Sequence, residues 1–174
     1  MSRALQEADK RVRWRAFIES LNSDIDPRTV RLMEEMRIVS HALYQISERS
    51  LADLGLSFAQ YRILLSLLFV EHEGEGQGLH PSQISERQGT SRNTISSLIR
   101  SLEERDLVER LLNKNDRRKF NIRLTEEGRT LAREHASEHF RLIGDCFADL
   151  TADEQQTLSR LLSKISLSAG ACAR

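Results

Sequence analysis

Residues Leu79–Thr125 read LHPSQISERQGTSRNTISSLIRSLEERDLVERLLNKNDRRKFNIRLT, and the punctuation of this stretch decides the fold. Pro81 suits the first turn of a helix, where its missing N–H costs nothing. Ile84 supplies an inward apolar position, and Gly89 suits the left-handed residue that ends a helix. Thr90 or Ser91 then caps a second helix. In that helix Ile95, Leu98, Ile99 and Leu102 recur at helical spacing and predict a buried stripe. Two runs that alternate as half-buried strands follow, Leu107–Leu111 and Phe120–Leu124, joined by a polar loop. The order helix, turn, helix, hairpin predicts a helix-turn-helix followed by a β-wing.

The face opposite the stripe carries the chemistry. Arg92, Asn93, Ser96, Ser97 and Arg100 fall there, with Ser91 and Thr94 at the helix start and Ser82 in the preceding helix. Arg pairs bidentately with guanine, Asn with adenine, and Ser with bases or phosphates. Taken alone, such a face reads more readily as the solvated side of an ordinary helix. The loop between the strands decides between the two readings, because it holds Lys114, Arg117, Arg118 and Lys119. Arginine at a hairpin tip suits a narrow minor groove. Asp116 is expected to hold a neighbouring Arg and so keep the shape of the wing. From Arg87 to Arg123 there are ten cationic and five acidic residues, a local net of +5, whereas the whole chain balances 26 against 26. One basic module on a neutral body points to double-stranded DNA as the partner.

These residues resemble the winged helix-turn-helix of the MarR family of bacterial transcription regulators. The matching elements are Pro81-Ser82-Gln83-Ile84, Ser91–Leu102, Leu107-Val108-Glu109-Arg110, Asp116-Arg117-Arg118 and the run Ile122–Gly128. The last two groups are the most specific, and a looser likeness spans about residues 30–165. Two positions depart from the family pattern: Asp106 stands where Gly is usual, and His80 where Ser or Thr is usual. Asp tolerates a left-handed backbone better than most residues, and His is a poorer cap. The resemblance implies a mainly α fold with a small β-wing, in which N- and C-terminal helices build a homodimer.

The rest of the sequence reads as helices around that motif. Val12, Trp14, Phe17, Ile18 and Leu21 suggest a short first helix. Asp26-Pro27 opens a second, with Val30, Met33, Met36, Val39, Leu43 and Ile46 as its apolar stripe. Gly55 breaks the chain, and Ser57–Gln60 is a capping box for a helix to about Val70. A Gly-rich polar loop follows, from Glu71 to Gly78. Thr125 caps a long helix whose stripe runs through Leu131, His135, His139, Leu142, Ile143, Cys146, Phe147 and Leu150. Thr151–Glu154 opens the last helix, with Leu158, Leu161, Leu162 and Ile165. The expected domains are 1–54 and 126–174 for dimerisation and 55–125 for DNA binding. More apolar face lies on the terminal helices than one wing domain covers, which favours a twofold dimer over a monomer with these helices folded back. Its two recognition helices, roughly 34–36 Å apart, would read a pseudo-palindrome.

With 174 residues, 39% of them hydrophobic, the chain is long enough for a core. No apolar run reaches the length of a membrane span, and no signal-peptide core opens the sequence, so a cytoplasmic protein is expected. Family resemblance implies a small aromatic or anionic effector, and Trp14, Phe17, His41, Tyr44, Phe58, Tyr61 and Arg62 are candidates for its cleft. The competing reading for each is core or interface packing. An N-terminal extension with Trp14 resembles the urate-responsive branch of the family, but Arg62 stands where that branch has an acid. Cys146 is a candidate oxidation sensor, although its place on the apolar stripe predicts burial. His135 and His139 share a helix face at a spacing that can bind zinc, with His72, Glu73 and His80 as distant additions. Without a Cys cluster or HExxH motif no metal or cofactor is expected. No arrangement for nucleophilic or acid–base catalysis stands out, so a regulator, in all expectation a repressor, is read rather than an enzyme. The alternatives are a winged module that binds protein instead of DNA, and a cysteine-based redox regulator.

Overall fold

The computed structural model describes residues 3–21, 24, 26–74, 77–112 and 120–172. They form two compact units, residues 1–45 and 46–174. The fold is mainly helical, with a two-stranded antiparallel wing. None of the described helices is long and apolar enough to cross a membrane.

In the first unit, α1 spans Arg3–Leu21 and α2 begins at Pro27 and runs to Ser50. The first helix is longer than its apolar residues alone suggest. Asp26 opens α2 by accepting the Arg28 N–H at 2.9 Å. Only part of the predicted α2 stripe is covered. Val30 is buried, and so is Glu34 one turn later, whereas Met33, Met36 and Val39 are exposed. The i, i+4 pair Val30 and Glu34 defines the covered face, and the i, i+3 series drifts away from it.

In the second unit, a 3-10 turn at Ala52–Leu54 ends at Gly55, whose φ is +60°. Ser57 and Gln60 form the expected capping box, and α3 runs Phe58–His72. This apolar helix is the centre of the unit: Ile63, Leu64, Leu67 and Val70 are buried, and it packs against α4 (Pro81–Gln88), α5 (Arg92–Glu103), α6 (Glu126–Asp145) and the second strand. Strands β1 (Val108–Leu112) and β2 (Phe120–Leu124) pair with Val108 opposite Leu124 and Leu112 opposite Phe120. Leu79 adds an isolated bridge to Ile122, with N–H···O distances of 2.8 and 2.9 Å. Gly128 allows α6 to cross the start of the wing, since a Cβ there would lie 1.9 Å from the Leu107 carbonyl oxygen.

Two expectations for α6 change. The helix ends at Asp145, so Cys146 becomes its C-cap and is exposed rather than buried. Its thiol lies 3.4 Å from the Leu142 carbonyl oxygen. His135 and His139 take part in packing. His139 is 4% exposed, and its ring lies 5.5 Å from that of Tyr61 and 6.3 Å from that of His135. Among the described residues no group of three metal-ligating side chains gathers around them. Tyr61 is fully buried and donates to the Ala132 carbonyl at 3.2 Å, and burial pushes its pKa up to about 12. The last helix, α7, spans Ala152–Cys172 behind a Thr151–Glu154 capping box. Its Leu161, Leu162 and Ile165 are exposed.

Burial of His139, and secondarily the neighbouring His135, lowers the His139 pKa below the ordinary value of 6.5. Above that pH both folded and unfolded chains hold a neutral imidazole. Below it the unfolded chain takes up a proton that the fold resists, so stability falls with pH. The urea midpoint of the parent should therefore drop from about pH 7.5 to about pH 5.5, and His139→Phe should drop less. Equal losses in the two proteins would contradict this role.

Candidate nucleic-acid interface

The interface is set by α5, which has one apolar face to hide. Ile95, Ile99 and Leu102 are buried at 2% exposure or less, and each contributes roughly 1.5–3 kcal/mol by leaving water. No comparable force acts on the opposite face. Burial of the stripe therefore fixes the rotation of the helix and turns Ser91, Arg92, Asn93, Thr94, Ser96, Ser97 and Arg100 outward, all of them exposed. The helix start is fixed by Ser91, whose Oγ accepts the Thr94 N–H at 3.2 Å, a cap of about 1 kcal/mol. Gly89, at φ +62°, ends α4 and sets the turn between the helices.

The outward polar groups differ in what they can offer. Among the described residues, the side chains of Arg92, Asn93 and Arg100 have no hydrogen-bond or ion-pair partner. Ser96 and Ser97 donate their hydroxyl protons to the carbonyls of Arg92 and Asn93, at 2.9 and 3.2 Å. They present acceptor lone pairs outward and must rotate before they can donate to a phosphate. Ser82 is half-buried, and its Oγ lies 2.7 Å from His80 Nδ1. His80 proves an effective cap: Nδ1 accepts the Ser82 N–H at 3.2 Å, while its own N–H donates to Gln83 at 2.8 Å.

Of the ten cations counted from the sequence, six are among the described residues, and three of these six are engaged inside the fold. Arg105 donates to the carbonyls of Leu54 and Gly55 at 2.7 and 2.8 Å. Arg110 makes a two-point pair with Glu103 at 2.6 and 2.9 Å and lies 4.5 Å above the Phe120 ring. The hydrogen bond to Glu103 raises the pKa of its guanidinium. Arg123 pairs with Glu109 at 2.8 Å across the wing. These contacts lock β1 to the end of α5 and the two strands to each other. Asp106, at φ +56°, takes the left-handed turn between α5 and the wing. Arg87, on α4, is exposed and adds an outward cation that the motif reading counted without assigning it a contact. Lys114, Arg117, Arg118, Lys119 and Asp116 lie outside the described residues.

In the first unit, Trp14 and His41 line a cavity between α1 and α2. The Phe17 ring lies 5.8 Å from that of Trp14 and is tilted 41° to it, and Tyr44 is on α2 and exposed. In the second unit, Arg62 lies 6.0 Å from the centre of the Phe58 ring, and Tyr61 is held in the core. The sequence reading missed Glu34, which lines the same cavity as Trp14. Its signal was a carboxylate one helical turn after the buried Val30.

Comparison with known proteins bears on what this arrangement is. The profile described as MarR family matches residues 54–119. The HTH-type transcriptional regulator PecS of Dickeya dadantii is 27% identical over 165 residues, covering 95% of each chain. The HTH-type transcriptional repressor YetL of Bacillus subtilis is 25% identical over 143 residues, covering 82% of this chain and 83% of its own. In fold, the chain is similar to Staphylococcus aureus MepR in its DNA complex, with a TM-score of 0.70 at 24% identity over 78% of this chain and 96% of that one. Apo MarR from Escherichia coli gives a TM-score of 0.64 at 24% identity, over 77% and 96% of the two chains.

Proposed function

We propose that this chain, a DNA-binding transcriptional regulator that belongs to the MarR family, acts as a homodimeric repressor on a pseudo-palindromic operator and is released from it by a small aromatic or anionic ligand. The observation that carries the DNA-binding role is the outward row Arg92, Asn93 and Arg100, unpartnered among the described residues on a helix whose other face is buried. A recognition helix contacts bases from its N-terminal part, which assigns base contacts to Arg92 and Asn93 and a backbone contact to Arg100. Ser82, Ser91, Thr94, Ser96 and Ser97 add hydroxyls at the same edge. Lys114, Arg117, Arg118 and Lys119 extend the positive charge to the wing tip. Repression follows the role of the relative YetL, a transcriptional repressor. The site of action is the cytoplasm, where the DNA is.

Homodimerisation is supported by the apolar surface of the terminal helices. Val12, Phe17 and Leu21 on α1 and Leu161, Leu162 and Ile165 on α7 are all at least 42% exposed. Several large apolar side chains left exposed on one helix mark an interaction site. Residues 1–54 and 126–174 then serve dimerisation and residues 55–125 serve DNA binding. Association through one twofold interface presents two copies of α5 at the spacing of one DNA turn, roughly 34–36 Å.

Asn93→Ala should lower discrimination between operator and random duplex by about 1–3 kcal/mol, read from paired titrations on a genomic fragment selected by the parent protein. Equal weakening on both duplexes would move Asn93 from the bases to the backbone. Leu161→Asp together with Ile165→Asp should dissociate or unfold the protein, because a buried unpaired charge is costly. Light scattering at micromolar concentration checks this. A stable monomer in the parent protein would refute the dimer.

A further inference from the structure

We propose that Glu103 and Arg110 form a strut that sets the angle of the wing on α5, so that the acidic Glu103 strengthens DNA binding. The two strands are anchored in the core at one end. Val108, Ile122 and Leu124 are buried at 2% exposure or less, and Leu79 bridges to Ile122. Farther out the ribbon leaves the core: Arg110 and Leu112 are exposed and Phe120 is half-buried. A two-stranded ribbon is marginal without further packing, and such ribbons twist over a wide range, so its outer rungs have no direction fixed by the strands alone. Among the described residues, one side-chain hydrogen-bonded link runs from a wing strand to α5. It is the Arg110–Glu103 pair, with Nε donating to Oε1 at 2.6 Å and Nη2 to Oε2 at 2.9 Å.

The geometry gives Arg110 this role rather than a grip on phosphate. Both carboxylate oxygens of Glu103 accept from it, and a two-point pair of this kind fixes the guanidinium in place. The guanidinium carbon also lies 4.5 Å from the centre of the Phe120 ring, within cation–π range. Phe120 opens β2 and faces Leu112 across the wing, and the His80 ring at the start of α4 lies 6.4 Å from it. One side chain thus joins the last residue of α5 to the outermost described rung of the wing. A lysine ammonium offers no such planar, two-point contact. Electrostatics alone predicts the opposite sign for Glu103. An acid on α5 repels phosphate, so its removal would tighten binding. With a strut, its removal loosens binding, because a wing left free must be ordered when DNA is met.

Such a strut rests on the DNA-binding reading above and adds to it a role for an acid. Binding of the full chain to a random-sequence duplex would be followed by fluorescence anisotropy across a salt series, with hydrogen exchange of the wing amides measured in the DNA-free protein. Glu103→Gln should bind about three- to tenfold more weakly than the parent, the cost of ordering one or two side chains, although it removes a negative charge. Its salt dependence should be shallower, because fewer phosphates are met; a smaller folded fraction would leave that slope unchanged. Arg110→Lys, which keeps the charge, should weaken binding comparably, and the double variant no more than either single one. In both single variants the amides of the outer strand residues should exchange faster, with those of α3 unchanged. Binding by Glu103→Gln as tight as that of the parent, or tighter, would overturn the strut. So would an additive loss in the double variant, or unchanged exchange in the wing. Those three outcomes leave the DNA-binding reading standing, whereas a parent chain that fails to bind duplex DNA at low salt would contradict that reading and the strut with it.

Discussion

Everything at the candidate interface depends on one asymmetry in α5. Ile95, Ile99 and Leu102 must leave water, and Arg92, Asn93 and Arg100 need not. Burial of three large side chains outweighs by several kcal/mol any preference of the polar face, so the rotation of the helix is settled by its core side alone. The polar row is then presented outward without a side-chain contact of its own among the described residues. A helix aimed by its buried face keeps its exposed face free for a partner.

Aiming the helix is useful only if the wing is held in register with it. Arg110 spans that joint, with Glu103 of α5 on one side and the Phe120 ring of β2 on the other. Asp106 supplies the left-handed turn, and its carbonyl accepts the Thr125 hydroxyl at 2.6 Å, so the two ends of the wing close on one residue. Beneath them the missing side chain of Gly128 lets α6 lie against the Leu107 backbone. The Tyr61–Ala132 hydrogen bond, with His139 packed on the Tyr61 ring, ties α6 to α3. Charge in this module therefore divides into two kinds. Arg105, Arg110 and Arg123 build the scaffold, and Arg87, Arg92 and Arg100 face outward.

Much of this was legible in the sequence because local chemistry decided it. Ser57, Ser91 and Thr125 cap the helices that they precede, Gly89 ends α4, and Asp106 adopts the positive φ read from its position. What escaped the reading depends on tertiary placement. Nothing local marks Leu79 as a bridge partner of Ile122, since a single paired residue has no period. Cys146 continues an apolar spacing, but the helix stops one residue before it, and a pattern cannot place that stop. The i, i+4 pair His135 and His139 has the spacing of a metal site, and only its neighbours Tyr61 and Phe58 reveal an aromatic packing cluster. Of the candidate ligand residues, Trp14 and His41 come together within the first unit, where Lys10, Arg11 and Arg37 line the same cavity. Charge on a helix that looks amphipathic reads as solvated until its cover is known.

The central claim is that the outward face of α5 and the basic wing form one electrostatic contact with duplex DNA. Its most direct measurement is the salt dependence of binding to a random-sequence duplex, where base readout plays no part. Affinity should fall steeply and linearly on a logarithmic plot. Arg100→Gln should reduce the slope by about one, as expected for one lost phosphate contact, without changing the thermal unfolding of the protein. A chain that fails to bind duplex DNA at low salt, or a slope that is unchanged in Arg100→Gln, would contradict the account.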